Sequence, residues 1–143
     1  MSIRILIADH LDQEAIEELQ AVPGFEVTVK TGLNEADLVK IIPDFEVVVV
    51  RSDTNITRPI IEAGQNLKLI VRAGIGLDTI DVKAAKEKGV EVANTPSAIS
   101  ISVAEHVIGL MLGAVRHHGP ANLSMKQHKW EKKLFTGTEV YGK

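Results

Sequence analysis

The sequence contains no cysteine. Disulfides and thiolate metal sites are thereby excluded, and a reducing, cytoplasmic setting is expected. Positive charge is not in surplus either: 16 Lys and Arg stand against 19 Asp and Glu, for a net charge of −3 and a pI of about 5.9. That balance speaks against nucleic acid or an anionic membrane as a partner. The N-terminus lacks a long apolar run, since residues 5–8 are too few for the core of a signal peptide. The five histidines, His10, His106, His117, His118 and His128, show no spacing to Asp or Glu that argues for a metal, so no metal is expected. No short internal repeat and no low-complexity tract is present.

What is present is alternation. With 143 residues, one compact domain is the default, with room for a second piece to begin. Residues 3–8 read as a strand. Leu11, Ala15, Ile16, Leu19 and Val22 then recur at helical spacing until Pro23-Gly24. Residues 25–29 form a second strand. Asn34 caps a helix through Ile42, which Pro43 ends. Residues 46–50 are apolar enough for a strand covered on both faces. Thr57 caps a third helix that leaves at Gly64, and residues 67–71 are strand four. Asp81 caps a fourth helix ending in Lys86, Lys88 and Gly89, cations and glycine where a last turn favours them. Residues 90–93 are strand five. Strands alternating with helices imply an α/β fold, a doubly wound, five-stranded parallel sheet of flavodoxin-like order 2-1-3-4-5.

After Pro96 the character changes. Residues 97–118 read as one long helix, with Ser102 and Glu105 spaced as a capping box near its start. Its apolar residues occupy nearly every face, as in a helix that is buried, here by another domain or another subunit. Glu105, His106 and its length argue against a membrane span. His106 reads as a packing or hydrogen-bonding residue, and His117 and His118 as cations at a helix C-terminus. Gly119-Pro120 is expected to break the helix. The rest is polar, with Trp130 and Phe135 as isolated anchors, and resembles an arm.

The chemistry concentrates in Leu69-Ile-Val-Arg-Ala-Gly-Ile-Gly-Leu-Asp-Thr-Ile-Asp81. Gly74 and Gly76 supply two glycines of a G-x-G-x-x-G loop, but Thr79 holds the third place. The following helix waits until Asp81, so a pyrophosphate would find a carboxylate at that helix terminus rather than free N–H groups. Asp78 adds like charge. The turn nonetheless follows strand four, at the sheet edge where open α/β sheets bind ligands. Arg72 ends strand four and Arg51 ends strand three, its neighbour. Two guanidiniums beside the N–H groups of residues 73–76 suit a small carboxylate- or phosphate-bearing anion. The competing reading pairs Arg51 with Asp53 and Arg72 with Asp78 as surface ion pairs.

The stretches VVVVRSDTNIT, LIVRAGIGLDTIDVKAAKEKGVEVANTPSAISISVAEHVIGLML and KWEKKLFTGTEVYGK together resemble the D-isomer-specific 2-hydroxyacid dehydrogenases over essentially the whole chain. The likeness is greatest to members acting on a phosphorylated hydroxy acid. The resemblance implies a substrate-binding lobe at residues 1–97 and the start of an NAD-binding domain at 98–143. The long helix of residues 97–118 would run between the domains and build a homodimer or higher homo-oligomer. It implies NAD as cofactor and a small-molecule phosphohydroxy acid as substrate. Arg51 and Ser52 match positions holding the substrate's phosphate or carboxylate end. Arg72, Ala73 and Gly74 match the carboxylate-receiving loop. Ile75, Gly76 and Val103 match positions at the nicotinamide cofactor, and Lys132 and Lys133 lie in an arm that reaches a neighbouring subunit. In the family the Rossmann glycine motif and the catalytic Arg, Glu and His follow the segment matching GTEVYGK. No catalytic residue is therefore assigned within residues 1–143, no turnover is expected of them alone, and the apolar helix is expected to drive self-association. Two alternatives stay open: another D-2-hydroxyacid dehydrogenase of glycerate or glyoxylate type, and a receiver-like signalling module. The receiver reading has Asp9 at strand one but lacks the Asp ending strand three and the Lys after strand five.

Overall fold

Branched aliphatic strands and capped helices assemble in the order the alternation implies. The computed structural model describes residues 2–143. Five strands, β1 (Ile3–Ile7), β2 (Phe25–Val29), β3 (Val47–Val50), β4 (Leu69–Arg72) and β5 (Glu91–Asn94), form one parallel sheet of order β2-β1-β3-β4-β5. The connecting helices are α1 (Gln13–Ala21), α2 (Glu35–Ile41), α3 (Arg58–Ala63) and α4 (Val82–Lys88). Alternate strand residues supply two cores, as a side-chain period of two requires. Leu6, Val48, Val50 and Ile70 face Leu38 of α2, Ile60 and Ile61 of α3 and Ala84 of α4. Ile5, Ile7 and Val49 face Ile16 of α1.

Local chemistry fixes the helix ends, with one exception to the sequence reading. Asn34 accepts from the Asp37 N–H at 3.0 Å and Asp81 from the Ala84 N–H at 2.8 Å, as caps do. Thr57 stands at the N-cap of α3 but makes no cap bond; its hydroxyl donates instead to Glu35 at 2.6 Å. At the other end of α4, Gly89 takes the left-handed conformation that closes the helix (φ 78°), and Lys88 donates to the carbonyls of Ile61 and Glu62 at 2.5 and 2.6 Å.

The chain divides into two compact units, the first ending at Ala98 and the second spanning Ile99–Lys143. The second departs from the single helix read over residues 97–118. Helix α5 (Ser100–Val115) begins after Ile99, which makes no side-chain cap bond, so Ser102 and Glu105 lie inside the helix and form no capping box there. The break comes at Arg116-His117, before Gly119-Pro120. His117 adopts φ 55° and opens α6 (His118–Lys126), so His118 starts a helix rather than ending one. Pro120 is accommodated in that first turn, where an N–H has no helical partner to lose. A short 3-10 turn (Lys132–Phe135) follows. Ser124 is buried, with its hydroxyl 3.0 Å from the Lys129 carbonyl and 2.9 Å from the Glu131 carboxylate. Trp130 is 78% exposed and anchors nothing here, and no residue of α5 is buried.

Candidate functional site

Strand register builds the site. Val50 of β3 aligns with Arg72 of β4, and Arg72 with Asn94 of β5, so Arg51, Arg72 and Asn94 share the C-terminal edge of the sheet. Arg72 turns back over Gly74. A Cβ on Gly74 would lie 3.0 Å from the guanidinium carbon of Arg72 and would collide with Nη1. The Arg72 Nε is buried and has no hydrogen-bond partner. A buried donor without an acceptor is costly, so this arginine is set to receive one. Gly74→Ala should therefore displace the flexible end of Arg72 at a cost to stability of under about 1 kcal/mol. Anion affinity should fall about tenfold or more, as for a lost charged hydrogen bond. Chemical denaturation combined with an anion titration checks both; unchanged affinity contradicts the geometry.

The turn after Arg72 offers fewer donors than its sequence indicated. The Ala73 N–H donates to Val50 O at 2.8 Å and the Gly74 N–H to Arg72 O at 2.9 Å, so neither is free for a ligand. The next two peptides differ. Thr95 N–H holds the Gly74 carbonyl at 3.0 Å, and the Asn94 side-chain amide holds the Ile75 carbonyl at 2.6 Å. In a trans peptide the N–H points opposite its carbonyl, so the Ile75 and Gly76 N–H groups face away from β5. Neither has an acceptor among the described residues. The turn therefore carries two N–H groups and one buried arginine donor without acceptors, donors of the kind a carboxylate accepts from. A pyrophosphate does not fit: α4 opens only at Val82, Asp81 already occupies its N-terminus, and Asp78 flanks Gly76, its Oδ1 lying 2.6 Å from where a Cβ would be.

Arg51 sits on a loop shaped by a residue that the sequence reading weighed only for the receiver alternative. Asp9, two residues beyond the end of β1, is buried at 3% exposure. Its Oδ2 accepts from the backbone N–H groups of Arg51 (2.6 Å), Thr54 (3.2 Å) and Asp53 (3.3 Å), and its Oδ1 from the Thr54 hydroxyl. Burial is the largest single influence on this carboxyl and raises its pKa. The Thr54 hydroxyl and the Arg51, Thr54 and Asp53 N–H groups together outweigh burial and hold it below its ordinary 3.8. An acidic residue closing the first apolar strand was the only sequence signal for this role. The Arg51 guanidinium donates to His10 O at 3.3 Å, and the exposed Ser52 hydroxyl to Asp53 at 3.1 Å.

The alternative ion pairs do not form: among the described residues, neither Arg51 with Asp53 nor Arg72 with Asp78 comes within 4.0 Å. The two arginines thus share a sheet edge as two stations, one leaning toward β1 and one over its own turn. A hollow of about 430 Å³ between His10, Thr31, Leu33, Asn34 and Asp53 opens at the same edge, and neither arginine lines it. Ile75 is 44% exposed. Val103, on α5 in the second unit, is half exposed. No group of three or more His, Asp or Glu suited to a metal occurs among the described residues, and no helix there is long and apolar enough to cross a membrane.

A five-stranded parallel sheet of this order, with arginines at the ends of two adjacent strands, defines an α/β protein of the doubly wound class. Residues 5–140 match the family described as D-isomer specific 2-hydroxyacid dehydrogenase, catalytic domain. The chain is 53% identical over 140 residues to hydroxypyruvate reductase of Thermotoga maritima, covering 98% of this chain and 45% of that protein. It is 50% identical over 141 residues to D-3-phosphoglycerate dehydrogenase of Methanocaldococcus jannaschii, covering 99% of this chain and 26% of that one. The NAD+-bound 3-phosphoglycerate dehydrogenase of Entamoeba histolytica superposes with a TM-score of 0.72 at 34% identity, over 81% of this chain and 40% of that chain. The chain belongs to the D-isomer-specific 2-hydroxyacid dehydrogenases, and the receiver reading falls with that. It spans less than half the length of each of these relatives.

Proposed function

We propose that this chain is the substrate-binding part of an NAD-dependent D-3-phosphoglycerate dehydrogenase, an enzyme that interconverts 3-phospho-D-glycerate and 3-phosphooxypyruvate at the entry to serine synthesis in the cytoplasm. The observation that carries the reading is the pair of arginines ending adjacent strands, one of them with an unmatched buried donor beside two free N–H groups. Arg72, with the Ala73-Gly74 turn, receives the carboxylate; its donors are the guanidinium and the N–H groups of Ile75 and Gly76. Arg51 and Ser52 hold the phosphate end. Residues 1–97 act as the substrate lobe and 98–143 as the start of the nicotinamide-binding domain.

NAD supplies the hydride chemistry when bound. Ile75 and Gly76, and Val103 of the second unit, are the residues of this chain that would contribute to holding its nicotinamide, and the glycine turn would take substrate carboxylate rather than cofactor pyrophosphate. No residue of the chain is assigned a proton-transfer role, and residues 1–143 alone are expected to show no turnover. The exposed apolar surface of α5, with Ile101 at 77% and Leu110 at 60%, is read as the subunit interface of a homodimer or larger homo-oligomer. Sedimentation velocity should accordingly show association at micromolar concentration; a clean monomer contradicts that assignment.

The Thermotoga relative's name favours a second reading, an unphosphorylated hydroxy acid of the glycerate type, for which one arginine suffices. A chimera in which residues 1–143 replace the matching segment of that reductase separates the two. Preference for 3-phosphooxypyruvate over hydroxypyruvate in kcat/KM supports the first reading. Equal or inverted preference supports the second.

A further inference from the structure

We infer that Asp9 is a positioning residue for the phosphate station, shaping the Arg51-Ser52 loop without touching the ligand. The inference rests on the reading of Arg51 just given. Of the residues between β3 and α3, Ile56 is pinned by backbone hydrogen bonds to Thr79 and Asp81 at 2.8 and 2.9 Å, but residues 51–54, which carry Arg51 and Ser52 into solvent, make no backbone–backbone hydrogen bond among the described residues. Asp9 holds them instead. One buried oxygen gathers the N–H groups of Arg51, Asp53 and Thr54, and the other receives the Thr54 hydroxyl. Three N–H groups converging on one acceptor fix the direction in which the chain leaves β3, and with it the origin of the Arg51 side chain. The guanidinium is then steadied by His10 O, the carbonyl of the residue after Asp9. Both contacts therefore come from the end of β1, the neighbour of β3 in the sheet.

The geometry separates acceptor from charge. In Asp9→Asn the amide oxygen can occupy the Oδ2 position and keep all three N–H donors. The amide nitrogen then faces the Thr54 oxygen, whose own proton can turn to Ala8 O, 3.4 Å away. Asp9→Asn should thus keep the loop, and Asp9→Ala should release it.

TROSY spectra of the 143-residue chain during titration with 3-phospho-D-glycerate test this in the wild type, Arg51→Ala, Asp9→Asn and Asp9→Ala. The wild type should shift at Ser52 and Asp53 and, separately, at Ile75 and Gly76. Asp9→Ala should bind about tenfold or more weakly and lose the Ser52 and Asp53 response while Ile75 and Gly76 still report. Asp9→Asn should titrate within about twofold of the wild type, being isosteric with its acceptor kept. A role in stability alone would lower the folded fraction and leave the affinity of the folded molecules unchanged. Wild-type affinity in Asp9→Ala, with Arg51→Ala impaired, overturns the positioning role. So does Asp9→Asn as impaired as Asp9→Ala, since charge would then matter rather than acceptor geometry. Wild-type affinity in Arg51→Ala, or no wild-type response at Ser52 and Asp53, instead removes the reading of Arg51 on which the inference rests. If Asp9→Ala loses its dispersed spectrum, Thr54→Val deletes only the hydroxyl donor; it should weaken binding several-fold, and unchanged affinity overturns the inference.

Discussion

Arg72→Ala, placed in the chimera with the Thermotoga reductase, is expected to lower kcat/KM for the 2-oxo acid by about 10- to 150-fold. This corresponds to the roughly 1.5–3 kcal/mol carried by hydrogen bonds to charged groups. The expectation follows from a donor already buried without an acceptor: the folded chain has desolvated the Arg72 Nε, and on the proposed reading a substrate carboxylate would supply the missing acceptor. Arg72→Lys should recover little, because an ammonium cannot place two donors in the plane that a carboxylate presents. The loss should fall on phosphorylated and unphosphorylated acids alike, since both carry the carboxylate. Arg51→Ala should instead penalise the phosphorylated acid selectively. An Arg72→Ala chimera with unchanged kcat/KM would remove the carboxylate station.

The sheet was legible because its information is local. Four consecutive valines in β3, caps at Asn34 and Asp81, and a glycine with two lysines ending α4 each name an element, and right-handed crossovers then leave few orders open. The second unit was less so. The helical pattern read over residues 97–118 hides a break at Arg116-His117 that no glycine or proline at those positions announces, because a histidine adopts the left-handed conformation there. Thr57 misled for a related reason: its hydroxyl has a choice of partners, and Glu35, 22 residues away, takes it.

At the site, residue identities were legible and their hydrogen bonding was not. Arg51, Arg72 and the glycines could be placed on one edge from strand ends alone. That Asn94 and Thr95 turn two peptides outward depends on the register of β4 with β5, which brings Asn94 beside Arg72. The row of four N–H donors read over residues 73–76 shrank to two because Val50 O and Arg72 O take the first two. The account of Asp9 failed on the same point, since its partners lie 42 to 45 residues along the chain.

Asp9→Ala should also cost about 2–4 kcal/mol of folding stability at pH 7, among the larger effects expected of any single side chain here, because it strands donors that one buried carboxylate now satisfies. The pH dependence has a definite sign. The folded-state pKa lies below the ordinary value of 3.8, so the ionised carboxylate stabilises the fold fully above that value. That contribution is lost as pH falls from near 3.8 through the lower folded-state pKa. Asp9→Asn keeps the acceptor geometry and removes the titration. Its stability should lie below the wild type at neutral pH, and the gap should close as pH falls below 3.8. Urea denaturation of both chains between pH 7 and pH 3 measures the gap directly. A gap that widens toward acid would mean that burial, not the converging donors, dominates this carboxyl.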